Sequence, residues 1–168
     1  MKTLAWAVIA SALYATAASA VPAPKVGLAS IAELPVVIRE PYDVNADAEK
    51  DVAAAFARAR HGGKRVLIDL GGNWCGDCVV LANIMQLPEV KRFVAAHYEV
   101  VSVDIGRENK NLQIPARFGA NLSGGVPAIL IVEPDGKTLV DAGHISALED
   151  ARHMTPQDLA DWLAQWAK

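Results

Sequence analysis

Cysteine is scarce in this chain: two in 168 residues, too few for a disulfide scaffold. A chain of this length buries a self-sufficient core, so folding does not require such staples. An excess of basic charge is also lacking. Sixteen Lys and Arg face 19 Asp and Glu, for a formal net charge of −3, and no basic stripe runs along the chain. Nucleic acid is thereby excluded as a main partner. Internal repeats are absent, and after residue 41 no linker marks a second domain. What is present is a composition 52% hydrophobic and 21% charged, which excludes a disordered chain.

Residues 1–20 read MKTLAWAVIASALYATAASA. Lys2 supplies a short positive start, an apolar run follows from Leu4 to Ala17, and the segment closes on Ala18-Ser19-Ala20. These are the three parts of a secretory signal with a small-residue cleavage site. The apolar run is shorter than the ~20 residues that span a bilayer, which disfavours the alternative of a retained anchor. Cleavage after Ala20 is therefore expected, with a periplasmic or secreted product and no stable membrane insertion. No cysteine follows that site to carry a lipid. An exported protein meets an oxidising compartment, where a thiol pair can cycle.

Pro22, Pro24, Pro35 and Pro41 predict an extended lead-in over residues 21–41, with an edge strand at 36–38. The domain proper is expected over 42–168. Asn45 or Asp47 can cap a helix running to about Arg60, with Val52, Ala55, Phe56 and Ala59 as its apolar stripe. The apolar run RVLIDL at 65–70 reads as a strand buried on both faces. A helix follows the cysteines, and Pro88 restarts another through His97. YEVVSVDI at 98–105 is a second buried strand, and a short helix is expected around 111–118. AILIVE at 128–133 and KTLVDA at 137–142 flank Pro134-Asp135-Gly136 as a hairpin. Thr155 and Pro156 open the last helix, whose inner face is Leu159, Trp162, Leu163 and Trp166.

The two cysteines sit in Trp74-Cys75-Gly76-Asp77-Cys78, between a strand and a helix. Free backbone N–H groups and the dipole at a helix start favour an anion. A cysteine there has its thiolate stabilised, and the thiolate is the species that attacks a disulfide. Spacing of three on the first turn lets the sulfurs bond. Cys75 is the expected exposed nucleophile and Cys78 the covered resolving thiol. Gly76 would admit a substrate chain, and Trp74 would offer it a flat apolar surface. Two other readings stand beside this one. A metal site has only two thiolates from one CxxC, where a closed zinc site wants four ligands, so soft Cu(I) is the main metal candidate. A purely structural disulfide would close too small a loop to contribute much stability.

VLIDLGGNWCGDC, a further strand, and then GGVPAILIV together resemble the thioredoxin family, from about Tyr42 to Lys168. The segment LPEVKRFVAAHYEVVSVDIG is similar to periplasmic electron-relay thioredoxin domains of disulfide-reductase transporters. The resemblance implies an α/β thioredoxin fold, a central mixed β-sheet flanked by helices. It implies thiol–disulfide exchange with protein disulfides as substrates, an upstream thiol donor and no cofactor. Asp69, six residues before Cys75, matches the family's buried acid. Its pKa should rise inside an apolar strand, allowing proton exchange with Cys78 through water. The alternative is a strand-end acid bonded only to backbone. Pro127 matches the family's cis-proline, with Val126 presenting backbone to a substrate chain. The alternative is a trans proline at a strand start.

Departures from the family pattern are also present. Asp77 replaces a usual proline, residues 120–125 lengthen the loop before Pro127, and a lysine common on the second core strand is missing. An Asp77 charge beside the sulfurs would disfavour the Cys75 thiolate and keep the pair reducing. Glu149, Asp150, Arg152 and His153 read as a solvated loop, with a partner surface as the alternative. The expected activity is an exported oxidoreductase that reduces protein disulfides. Its rivals are an isomerase or oxidase, a Cu(I)-binding module, and a binding module with incidental cysteines.

Overall fold

The computed structural model describes residues 21–168, so the expected signal at 1–20 lies outside the described residues. The elements in order are α1 (Ala48–Gly62), β1 (Arg65–Gly71), α2 (Gly76–Ile84), α3 (Pro88–His97), β2 (Tyr98–Asp104), α4 (Gln113–Arg117), β3 (Ala128–Val132) and α5 (Pro156–Gln165). Strand β1 is central. It pairs in parallel with β2 and antiparallel with β3, giving the order β2-β1-β3. Covered on both faces, it has the continuous apolar run expected of such a strand. Leu67, Ile129 and Ile131 pack with α2, α3 and α5, while Val66, Ile68 and Leu130 pack with α1 and Ile114 of α4. The α/β expectation of a mixed sheet flanked by helices is met.

Helix starts follow local chemistry. Asp47, not Asn45, caps α1 by accepting from the Lys50 amide at 3.1 Å, and Gly63 at φ 68° ends it. Thr155 and Asp158 form a reciprocal capping box at α5, with Pro156 at its first position. Leu159 and Leu163 of α5 are buried, and Trp166 is half-buried at its end.

Two expected strands do not form. Residues 36–38 are extended but pair with no strand, because a side chain takes their hydrogen bonds. Asn83 Oδ1 accepts from the Val37 and Ile38 amides at 2.7 and 2.9 Å, and its Nδ2 donates to the Ile38 and Val79 carbonyls. Further along the lead-in, Gln157 accepts from the Val26 amide and donates to the Pro24 carbonyl, and Leu34 is buried against the α2–α3–α5 core. The lead-in is thus a strap on the domain. Asn83→Ala leaves these groups unpaired and should cost about 2–3 kcal/mol in urea unfolding, with faster proteolysis near residue 37. A loss below about 0.5 kcal/mol would show that the strap contributes nothing.

The second arm of the hairpin is the other case. Residues 137–142 give only one bridge, Val132 to Leu139. The Ile131 amide donates to the Asp141 carboxylate at 2.9 Å, so a side chain replaces the backbone carbonyl that a regular ladder would use.

Candidate active site

Strand β1 ends at Gly71, and four residues later the chain enters α2. Cys75 is the N-cap of α2, with extended backbone, and its Sγ accepts from the Cys78 amide at 3.1 Å. The first-turn placement thus aims a helix N–H at the sulfur that must carry negative charge. Cys75 and Cys78 are bonded, their Cα atoms 5.2 Å apart. Cys78 is sealed, and Cys75 is only 5% exposed, so the expected nucleophile is far less open than expected, though still the more accessible of the two. Cys75 Sγ lies 3.5 Å from the Val126 carbonyl oxygen, and the Val126–Pro127 bond is cis. Both Val126 and Pro127 are buried, so Val126 offers little open surface. Trp74 is 45% exposed, its indole N–H donates to the Gly106 carbonyl, and the Arg107 guanidinium lies 5.1 Å from its ring centre. That leaves a flat, partly apolar surface beside the sulfurs.

Asp69 is fully buried, paired with Ser102 on β2 and Ile129 on β3, which removes the strand-end alternative. Its Oδ1 accepts from the Tyr42 hydroxyl at 2.8 Å, and its Oδ2 has no partner among the described residues. Burial pushes its pKa up to about 7, against the opposing effects of the Tyr42 and Ser102 hydroxyls. An acid poised there can take up or release a proton near neutral pH.

A model of thioredoxin-like proteins matches residues 47–134. The chain belongs to the thioredoxin-like family. Its fold is also similar to that of a disulphide isomerase from Xylella fastidiosa Temecula1, at a TM-score of 0.70 and 34% identity. The match covers 74% of this chain and 94% of that one. No curated protein sequence matches the chain. With its close cysteine pair at the head of α2, this thioredoxin-like protein is a thiol–disulfide oxidoreductase.

Against that family frame, Asp77 departs from its expected role. It is buried, not facing a substrate or lending open charge to the sulfurs. The Arg152 amide donates to Oδ1 at 2.9 Å, Nε donates to both oxygens at 3.0 Å, and Nη2 donates to Oδ2. Burial alone would raise the Asp77 pKa, but the Arg152 hydrogen bonds and charge outweigh it and hold the carboxyl below its usual range. The Asp77 charge is therefore compensated, which removes its expected effect on Cys75. Glu149, Asp150, Arg152 and His153 are all exposed, as expected of a solvated loop, and Asp150 and His153 pair with each other there. What the sequence did not show is that Arg152 reaches back to Asp77. The guanidinium lies over Gly76, 3.5 Å from where a Cβ would stand, so it already borders the space expected to admit substrate. In the lengthened loop, Gly125 has φ 102°, and a Cβ on it would meet a Glu149 carboxylate oxygen at 2.9 Å.

Sequence reasoning missed Tyr42 and Asn73. Tyr42 is 2% exposed, and Asn73 clamps its backbone with two 2.9 Å bonds, accepting from the amide and donating to the carbonyl. A tyrosine between Pro41 and Asp43 carries no local sign of a buried role. Among the described residues, no group of three or more His, Cys, Asp or Glu could hold a metal ion, and no helix is long and apolar enough to cross a membrane.

Proposed function

We propose that this protein is exported and reduces protein disulfides. Cys75 thiolate attacks a substrate disulfide, forms a mixed disulfide and expels the first substrate thiolate. Cys78 thiolate then attacks Cys75 Sγ, and the second substrate sulfur leaves with the bonding electron pair. The substrate gains two electrons, and the enzyme is left with the Cys75–Cys78 disulfide, which an upstream thiol donor must reduce. The observation that carries the reading is the single helix N–H aimed at Cys75. Arg152 is paired with Asp77, so no unpaired cation of that segment adds to the stabilisation. Strong oxidants of this fold stabilise the reduced form much further. Trp74, exposed beside Cys75, is the surface a substrate chain would meet first. Export rests on the residues ending Ala18-Ser19-Ala20.

A second reading, disulfide isomerase, is favoured by the likeness to the Xylella protein of that description. The two differ in what Cys78 must do. Isomerisation is redox-neutral and needs only the attacking thiolate, whereas reduction needs the resolving thiol. Cys78→Ala, purified from the exported fraction, should lose catalytic reduction of insulin and accumulate substrates disulfide-linked to Cys75. Its intact mass, after reduction, should begin at Val21. Full isomerase activity on scrambled ribonuclease, with no reductase activity in the wild type, would overturn the reducing reading.

A further inference from the structure

Gly71 ends β1 with Tyr42 and Cys78 on its open side. A Cβ built on Gly71 would stand 2.8 Å from Cys78 Sγ and closer still to the Tyr42 hydroxyl. The hydroxyl and the sulfur are therefore less than twice that distance apart, and only the missing side chain leaves the space between them free. On its other side the same hydroxyl donates to Asp69 Oδ1 at 2.8 Å. The geometry points to Tyr42 as the proton relay between Cys78 and Asp69. This deepens the reading above, because it rests on Cys78 being the resolving thiol.

The two groups come together from distant parts of the sequence. Tyr42 comes from the end of the lead-in, 27 positions before Asp69, and is fixed by Asn73 of the segment that also carries the cysteines. Asn73 therefore couples the backbone of the relay to the backbone of the redox turn. A tyrosine hydroxyl has one proton to donate and lone pairs to accept with. It can accept from the Cys78 thiol while donating to the Asp69 carboxylate. In the mixed disulfide, the Cys78 proton passes to Tyr42 as the phenolic proton passes to Asp69. The Cys78 thiolate then attacks Cys75 Sγ, and the substrate sulfur leaves with the electron pair. Tyr42 ends as it began, a neutral phenol, and Asp69 ends protonated.

The surroundings suit a group that never ionises. Burial, then the nearby Asp69 and Asp104 charges, raise the Tyr42 pKa far above its ordinary value. Asp104 is itself paired with Lys110 at 2.9 Å, and Ser102 faces Asp69 from β2. The relay thus has a single acid–base terminus, Asp69.

The test is stopped-flow oxidation of the reduced full-length protein by a disulfide-bonded peptide, followed by tryptophan fluorescence from pH 5 to 10. Attack by Cys75 gives the first phase and resolution by Cys78 the second. Tyr42→Phe keeps the ring and should leave the first phase unchanged. It should slow the second about tenfold at pH 7, a modest share of general-base catalysis. The difference should vanish at high pH, where Cys78 ionises unaided. Replacing Tyr42 by 3-fluorotyrosine keeps the fold and the relay. It supplies a stronger acid to Asp69 and should move the second-phase profile to lower pH. An unaltered second phase in Tyr42→Phe alongside a slowed one in Asp69→Asn would overturn the relay and leave Asp69 and Cys78 in their roles. An unmoved profile with 3-fluorotyrosine would also overturn it. A wild type with no second phase would overturn both the relay and the resolving function of Cys78.

Discussion

Asp69→Asn makes the oxidised protein more stable at pH 8 and leaves its stability at pH 4 nearly unchanged. The wild-type carboxyl ordinarily titrates at 3.8, and burial pushes it to about 7 in the fold. A raised folded pKa means that the folded state holds the proton more tightly. Its stabilising contribution is full below about pH 4, declines as pH rises, and is gone above about pH 7. Three units correspond to about 4 kcal/mol as an upper bound, and relaxation of the site makes about 2–4 kcal/mol the expected gain for the variant at pH 8. Asparagine keeps an acceptor for the Tyr42 hydroxyl and carries no charge to bury. In the oxidised protein the cysteines do not titrate, so they add nothing to this difference. Asp141, pushed up to about 6 by burial, gives both proteins a decline of the same sign at lower pH. Urea unfolding at pH 4, 6 and 8 measures the effect. An equal stability difference at pH 4 and 8 would show that Asp69 is not held protonated by the fold. The same substitution should slow resolution by Cys78 at neutral pH if the group that weakens the fold there also serves the proposed chemistry.

Asp77→Asn and Arg152→Gln should move the Cys75 thiol in opposite directions. In the wild type the two charges compensate each other beside the redox turn. Removing the carboxylate leaves the guanidinium over Gly76, which favours the Cys75 thiolate, lowers its pKa and makes the pair more oxidising. Removing the guanidinium leaves the carboxylate, which raises the pKa and makes the pair more reducing. The Arg152 side chain is 54% exposed, so solvent and salt weaken its field. The expected size is about one pKa unit or less in each direction, and each ~1.4 kcal/mol shifts this two-electron couple by about 30 mV. The double variant should return close to the wild type. Iodoacetamide reactivity against pH gives the pKa, and equilibration with glutathione gives the potential. Shifts of the same sign in both single variants would show that the pair acts by holding the segment in place and not by its charges.

The sequence alone determined the parts that local chemistry encodes. The apolar run at 65–70 made β1, and its lack of alternation marked it as buried on both faces. The N-terminal position of Cys75 on α2 followed from its place between that strand and the helix after it. Thr155-Pro156 set the start of α5, and Val126-Pro127 lay in front of β3 as the family pattern implies. Each of these depends on neighbours a few positions away. The tertiary structure decided the electrostatics. Asp77 changed from an open charge to a compensated one because Arg152, 75 positions later, arrives beside it. The expected strand at 36–38 became a strap because Asn83, more than 40 positions away, outcompeted a strand for its amides. The arm at 137–142 stayed irregular because the Asp141 side chain took a ladder hydrogen bond. Asp69 gained a tyrosine partner where water was expected. The physical reason is common to all four. Periodicity and capping belong to a stretch of chain, whereas the state of a charge or a hydrogen-bonding group depends on which distant atoms folding brings beside it.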